Sequence, residues 1–175
     1  MESVNTLHLT KVYRDYIVDP SIMEKIVEDS QKKVGSQKKR SVVLKDYTEF
    51  DRNHRFIKEV CSDFLELNGF THNKDKWYMD IIRYKLDNET MPHKSGLVWH
   101  CENDNYPDVI TVLLYLRIDE GIIDGNIRYK DKDNQKQVLE VSSGTTVIMD
   151  GNVPHKPQDP YGTGYRDLVI VSFEK

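Results

Sequence analysis

The chain has 175 residues, of which 38% are hydrophobic and 31% charged, a balance typical of a folded globular protein rather than a disordered one. Its formal net charge of -4 gives no indication of nucleic acid as a partner. The sequence shows no signal peptide, no stretch long enough to span a membrane, and only two cysteines. We therefore expect a single domain over residues 1–175, located in the cytoplasm.

The N-terminal part predicts one strand and two helices. β-Branched and aromatic residues over 8–18 indicate an opening strand. A capping signal that includes Ser21 follows, and apolar residues at helical spacing predict an amphipathic helix over 20–33. The same spacing predicts a second helix over 52–68, which Gly69 would terminate.

From Trp77 onward the helical period disappears, and apolar runs alternate with turn signals such as Asp124-Gly125. Eight short strands are predicted, at 77–86, 97–102, 108–117, 126–130, 137–141, 145–149, 155–158 and 165–173. The pattern indicates a mainly β (α+β) fold, in which residues 76–175 form a double-stranded β-helix, or jelly roll. The helices within residues 1–75 would cover one of its sheets.

The segment Trp-His-Cys-Glu at 99–102 carries the first candidate metal ligands. His100 and Glu102 lie two residues apart on a predicted strand, so their side chains are expected on the same face. His155 would complete a set of two histidines and one carboxylate, which suits Fe(II) with open coordination positions. Trp99 is expected to pack beside this strand. The remaining histidines are expected at the surface or in loops: His8, His54, His72 and His93.

The last predicted hairpin relates a histidine to an arginine. If its turn is centred on Pro160-Tyr161, antiparallel pairing places His155 opposite Arg166, with their Cβ atoms about 5 Å apart. An arginine can hold a carboxylate with two parallel hydrogen bonds. This register predicts a metal site beside a site for an anionic cosubstrate.

The order of these motifs resembles that of the Fe(II)/2-oxoglutarate-dependent oxygenases of the prolyl-4-hydroxylase-like group. The matching elements are His100-Cys101-Glu102, the strand ending in Tyr115-Leu116, Asp124-Gly125-Asn126-Ile127, the strand entered through Gly144, His155 and Arg166. Two features depart from the family pattern. Glu102 replaces the more common aspartate, and Gly125 is the one glycine left of a Gly-Gly pair.

The resemblance implies an iron site and a site for 2-oxoglutarate. The Fe(II) ligands would be His100, Glu102 and His155, and the cosubstrate would contact Arg166, Tyr115 and Tyr84. The implied reaction consumes O2, releases succinate and CO2, and hydroxylates a C–H bond of the substrate, with ascorbate as a further cofactor.

Three functions stay open at this point. The first is hydroxylation of a peptidyl residue, most simply proline; the second is the same chemistry on a free amino acid or other small molecule; the third is a non-catalytic binding module. The complete ligand set with Arg166 argues against the third. We expect a peptide or small-molecule substrate, no nucleic acid and no membrane, and selectivity determined by the basic loop at 32–40 and the loop at 87–97.

Overall fold

A computed structural model of the chain describes residues 10–29, 41–43, 52–87, 99–104 and 107–175. In this described part the strands are β1 (Thr10–Tyr13), β2 (Ser41–Val43), β3 (Trp77–Asp87), β4 (Val109–Ile118), β5 (Ile122–Ile123), β6 (Ile127–Lys130), β7 (Lys136–Leu139), β8 (Thr145–Asp150), β9 (His155–Pro157) and β10 (Tyr161–Glu174). The helices are α1 (Ile22–Asp29), α2 (Arg52–Leu67) and a short 3-10 turn at Glu102–Asp104. Neither α1 nor α2 is long and apolar enough to cross a membrane.

The strands form two antiparallel sheets. The large sheet has the order β1-β8-β4-β10-β3-β2, with β5 paired to β10, and the small sheet has the order β7-β6-β9. Because β8 and β10 belong to the large sheet and β9 to the small one, the chain crosses repeatedly between the sheets. This is the topology of a jelly roll, and the predicted mainly β fold with two N-terminal helices is confirmed.

Alternation of side chains along β4 divides the core into two layers. Leu114 belongs to a buried cluster with Met23 of α1 and Ile57 of α2. Its neighbour Leu113 points the other way and belongs to a second cluster with Ile127 of the small sheet. The helices therefore cover the outer face of the large sheet, and the cavity described below lies between the two sheets.

A β-bulge near the end of β4 changes the direction of its last residues. Against β10, Tyr115 pairs with Leu168 while Arg117 pairs with Asp167, so Leu116 is an extra residue on β4. As a result Tyr115 faces the space between the sheets, whereas Arg117 joins Asp167 on the helix side.

A buried ion pair connects β3, β10 and α1 on the helix side. Arg83 and Asp167 are direct partners across β3 and β10 and are 4% and 1% exposed. Arg83 donates from Nε to Oδ1 of Asp167 at 2.7 Å and from NH2 to Oδ2 at 2.9 Å. Its NH2 also donates to Oε1 of Glu24 at 2.6 Å. Bonding to Asp167 raises the pKa of Arg83 further, so the guanidinium stays charged at every ordinary pH.

Two predicted strands differ from the structure. The opening strand over 8–18 is confined to β1 among the described residues. The strand predicted over 97–102 is wrong for its described residues, 99–102. There His100 forms an isolated bridge with His155, and a 3-10 turn begins at Glu102. The short strands β2 and β5 were not predicted, since three and two residues are too few for a periodic signal.

The predicted helices over 20–33 and 52–68 correspond to α1 and α2. The parts of the first helix beyond residue 29, the basic loop at 32–40, and the loop at 87–97 after its first residue lie outside the described residues.

One of the two described histidines outside the candidate site, His54, is more buried than the sequence analysis expected, whereas His72 lies in a loop as expected. His54 is 5% exposed because it lies on the inward face of α2. His72 is half-buried, with Nε2 at 2.7 Å from Oγ of Ser62 and its ring against Phe173. The surface prediction is therefore wrong for His54. His8 and His93 lie outside the described part of the chain.

We expect the substitution Arg83→Met to lower the free energy of unfolding by about 3 kcal/mol, because it leaves the carboxylate of Asp167 buried without its partner. The matched control Arg117→Met removes a half-exposed ion pair with Asp119 and should cost less than about 1 kcal/mol. Urea denaturation of both variants measures the difference. Equal losses would contradict a special role for the buried pair.

Candidate metal centre

His100 and His155 are held side by side by backbone hydrogen bonds. His155 opens β9 and pairs with Tyr129 of β6, which directs its side chain between the sheets. His100 N donates to His155 O at 3.1 Å, and His155 N donates to His100 O at 2.9 Å. The centroids of the two imidazole rings are 4.3 Å apart.

Glu102 reaches the same point from the 3-10 turn. Its Oε1 lies 3.2 Å from Nε2 of His155 and 3.8 Å from Nε2 of His100. One ligand atom from each side chain falls within 4.8 Å of the others, and the three can hold a metal ion. The sequence analysis expected these side chains to converge along a strand; the bend after His100 brings them together instead.

The chemistry of these donors suits a divalent cation. Nδ1 of His155 donates to the carbonyl oxygen of Val153 at 2.9 Å, which leaves Nε2 facing Glu102. Burial acts to raise the pKa of Glu102, but its hydrogen bond to His155 and the nearby imidazoles outweigh that effect and lower the pKa. The side chain is therefore an ionised carboxylate near neutral pH.

Asn103 connects the short segment that carries Glu102 to the turn between β8 and β9 by hydrogen bonds. Its backbone N donates to Gly151 O at 3.1 Å, and its Nδ2 donates to Oδ1 of Asn152 at 2.6 Å. Its Oδ1 accepts from the backbone N of Val109 at 3.0 Å. A Cβ at Gly151 would overlap Oδ1 of Asn103 and lie 2.7 Å from Val109 O, so only glycine fits. This network sets the separation of the two ligand-bearing segments.

Arg166 lies in the same cavity, which has a volume of about 560 Å³. Its guanidinium carbon is 5.1 Å from the ring centre of Tyr84 and 5.2 Å from that of Tyr115. Its NH2 donates to Gly125 O at 2.7 Å, while its buried Nε makes no hydrogen bond with any described residue. A buried guanidinium with an unused donor fits a carboxylate ligand.

Gly125 permits the approach of this backbone to Arg166. Its φ of 82° lies in the left-handed region, and a Cβ there would come within 3.1 Å of Nε of Arg166 and of Pro160. The presence of glycine at position 125, which the sequence analysis singled out, therefore has a steric explanation.

The two tyrosines predicted to assist Arg166 lie beside it. Tyr84 is its direct partner on β3, and Tyr115 lies on β4. Burial raises the pKa of Tyr115 to about 12, although Arg166 acts to lower it. The phenol of Tyr115 is therefore protonated near neutral pH and can donate a hydrogen bond to an anion.

The predicted hairpin pairing of His155 with Arg166 is wrong. β9 pairs with β6 in the small sheet, whereas β10 pairs with β3 and β4 in the large sheet. The intervening residues cross between the sheets, and Gln158 N donates to Asn126 O on the way. Both side chains nevertheless line the cavity, since each sheet supplies one of its walls.

Several wall residues were missed by the sequence analysis. Leu168 and Ile170 line the cavity and follow Arg166 at intervals of two along β10. Strand periodicity counted from Arg166 would have found them. Asn103 was also missed, because its role depends on contacts with the distant Gly151 and Asn152.

No protein-family model matches the sequence, and no curated protein matches it. Solved structures do match. A prolyl-4-hydroxylase of Pseudomonas putida has a TM-score of 0.62 and 14% identity, over 96% of this chain and 93% of its own. The chain has the jelly-roll fold of the 2-oxoglutarate/Fe(II) oxygenases.

Two further structures with this oxygenase fold extend the comparison. A prolyl hydroxylase of Trichoplax adhaerens, in complex with a peptide of the hypoxia inducible factor oxygen degradation domain, has a TM-score of 0.66 and 12% identity, over 94% of this chain and 83% of its own. HygX of Streptomyces hygroscopicus, with nickel and 2-oxoglutarate bound, has a TM-score of 0.62 and 12% identity, over 96% and 80%.

We expect Asn103→Ala to weaken the affinity for a divalent metal by about tenfold, because the segment that carries Glu102 loses the side-chain hydrogen bonds of Asn103 and keeps only its backbone bond to Gly151. Isothermal titration calorimetry with Mn(II) measures the affinity. Gln137→Ala, which removes one exposed side-chain hydrogen bond to Asp131, is the control and should leave it unchanged. Unchanged affinity in Asn103→Ala would show that the network does not position the donors.

Proposed function

We propose that the protein is an Fe(II)- and 2-oxoglutarate-dependent dioxygenase, with residues 1–175 forming one oxygenase domain. One observation carries the proposal: two imidazoles and a carboxylate converge in a cavity that also contains a buried arginine with an unused donor. The shared fold agrees with it.

The metal would be held by His100, Glu102 and His155. Imidazole and carboxylate donors suit Fe(II), and three protein ligands leave positions open for other ligands. The contact of Nδ1 of His155 with Val153 O fixes the orientation of its ring, and Asn103 holds the Glu102 segment in place.

The cosubstrate would be held at the other end of the cavity. Arg166 would bind its distal carboxylate, and the protonated phenol of Tyr115 can donate a further hydrogen bond. Tyr84 lies against the guanidinium on the opposite side and restricts its movement. Because Arg166 is 2% exposed, water competes little for this carboxylate.

When bound, Fe(II) and 2-oxoglutarate would activate O2, so that one oxygen atom hydroxylates a substrate C–H bond and the other enters succinate as 2-oxoglutarate loses CO2. The chain's own part is to orient the cosubstrate and to limit water around the donors. The apolar walls formed by Leu113, Leu168 and Ile170 serve the second purpose.

The substrate we propose is a polypeptide, hydroxylated at a residue such as proline. Support comes from the Trichoplax adhaerens neighbour, which is a prolyl hydroxylase in complex with a peptide. Ascorbate would keep the iron reduced between turnovers. A free amino acid or other small molecule is the alternative substrate class, and a panel of substrates separates the two.

Succinate release in the presence of Fe(II), 2-oxoglutarate and ascorbate tests the proposed activity. We expect Glu102→Gln to abolish turnover and to weaken metal affinity at least about 100-fold, because the neutral amide replaces an anionic ligand. Asp104→Asn changes the neighbouring carboxylate of the same turn in the same way and should retain both.

Proline-containing peptides and free amino acids are then compared as stimulators of this turnover. If the wild-type protein binds neither metal nor 2-oxoglutarate, the dioxygenase proposal is wrong and the fold serves as a binding module.

We expect Arg166→Met to weaken 2-oxoglutarate binding by about 100-fold, because the carboxylate would lose a charge-assisted, buried partner. Metal affinity should persist, since Arg166 contacts none of the three donors. Arg117→Met removes a half-exposed guanidinium from the helix side of the same sheet and is the control. Equal loss of metal and cosubstrate binding in Arg166→Met would indicate a structural role instead.

A further inference from the structure

The outward face of the small sheet carries a group of cationic side chains. Ile127 of β6 is buried in the core and His155 of β9 faces the cavity, so their neighbours along each strand point outward. We call the outward group the cationic face, and it consists of Arg128, Lys130, Lys136 and Lys156. Val138, which is 57% exposed, lies among them.

These side chains are arranged so that like charges oppose each other. Arg128 is the direct partner of Lys156 across β6 and β9, and Lys130 is the direct partner of Lys136 across β6 and β7. Opposed like charges destabilise a sheet. None of the four forms an ion pair with a carboxylate in the described part of the chain. The arrangement is notable in a protein whose net charge is -4, because no carboxylate of the described residues pairs with it.

The cationic face is continuous with the edge of the candidate active site. Lys156 directly follows His155, and Nζ of Lys130 lies 5.4 Å from the ring centre of Trp99, which directly precedes His100. With its amide oxygen turned toward Arg128, Gln158 accepts hydrogen bonds from that guanidinium at 2.9 and 3.0 Å. Gln158 itself lines the cavity.

We propose that the cationic face docks an extended, acidic segment of the polypeptide substrate, next to the residue that enters the cavity. The inference rests on the proposed function, since it assigns the segment to the substrate of that site. Arg128 and Lys130 are two residues apart on one strand, about 7 Å, the same spacing as alternate side chains of an extended peptide. Acidic residues at alternate positions would therefore face cations on the sheet.

The chemistry favours an acidic polypeptide over a nucleic acid. The three strands span only about 10 Å, which is short for a phosphate backbone that gains affinity from many contacts. Trp99 is the one aromatic ring that a described contact places against this face, whereas single-stranded nucleic acids stack on several.

Fluorescence anisotropy with a labelled peptide of alternating glutamate and serine tests the proposal on the full chain. The face variant carries Lys130→Gln, Lys136→Gln and Lys156→Gln, and keeps Arg128 because of its contact with Gln158. The control variant carries Lys11→Gln, Lys25→Gln and Lys85→Gln, so it loses the same charge from exposed positions outside the small sheet. An oligothymidylate of matched charge is the second probe.

We expect the acidic peptide to bind wild type with an affinity that falls as salt is added, and to bind the face variant about tenfold more weakly, because three exposed ion pairs are lost. The control variant should bind like wild type. Equal weakening in both variants, stronger binding of the oligothymidylate, or no binding of the peptide would each overturn the proposal.

The peptide assay is separable from the test of the proposed function, because it requires neither metal nor cosubstrate. Binding of Mn(II) and 2-oxoglutarate is measured on wild type and on the face variant, and should be the same in both. Wild-type protein that fails to bind them contradicts the dioxygenase proposal and with it the assignment of the segment to a substrate. Retained metal and cosubstrate binding with loss of the peptide in the face variant alone supports the docking surface.

Discussion

The paired backbone hydrogen bonds between His100 and His155 are the constraint on which the candidate site depends. They join a short segment outside the regular strands to β9, and so place two imidazoles side by side. The 3-10 turn then begins at Glu102, and its direction returns the carboxylate to the same point. If that bridge were absent, His155 would have no fixed position relative to His100 and Glu102, which lie more than 50 residues earlier in the chain.

The two sheets contribute different side chains to the cavity. The small sheet carries His155, while the large sheet carries Arg166 with Tyr84 and Tyr115 on three adjacent strands. The cavity is therefore spanned by side chains from both walls, and packing between the sheets fixes the separation of the candidate metal donors from the guanidinium. The buried pair of Arg83 and Asp167 lies on the opposite side of the large sheet. It links β3 to β10 at the position next to the pairing of Tyr84 with Arg166.

Sequence reasoning succeeded where a signal is local and failed where it depends on distant contacts. The helices α1 and α2 and the long strands β3, β4 and β10 followed from side-chain periodicity. The convergence of His100, Glu102 and His155 followed from residue types and spacing, but the geometric reasons offered for the site were wrong. A bridge and a 3-10 turn replace the strand expected to carry His100 and Glu102, and a change of sheet replaces the hairpin expected to pair His155 with Arg166. The cationic face could not be predicted, because its members come from three strands that only the folded sheet brings together. Its first and last members, Arg128 and Lys156, are 28 positions apart in the chain (156 − 128 = 28).

The extra residue Leu116 has a consequence for the electrostatics of the cavity. Along an uninterrupted strand, Arg117 would share the orientation of Tyr115 and would place a second guanidinium beside Arg166. Two adjacent positive charges between the sheets would repel each other and would attract a dianion without preference for one end of it. One inserted residue therefore leaves Arg166 as the one arginine among the described residues that lines the cavity, so a dicarboxylate bound as proposed above would place only one of its ends against this wall.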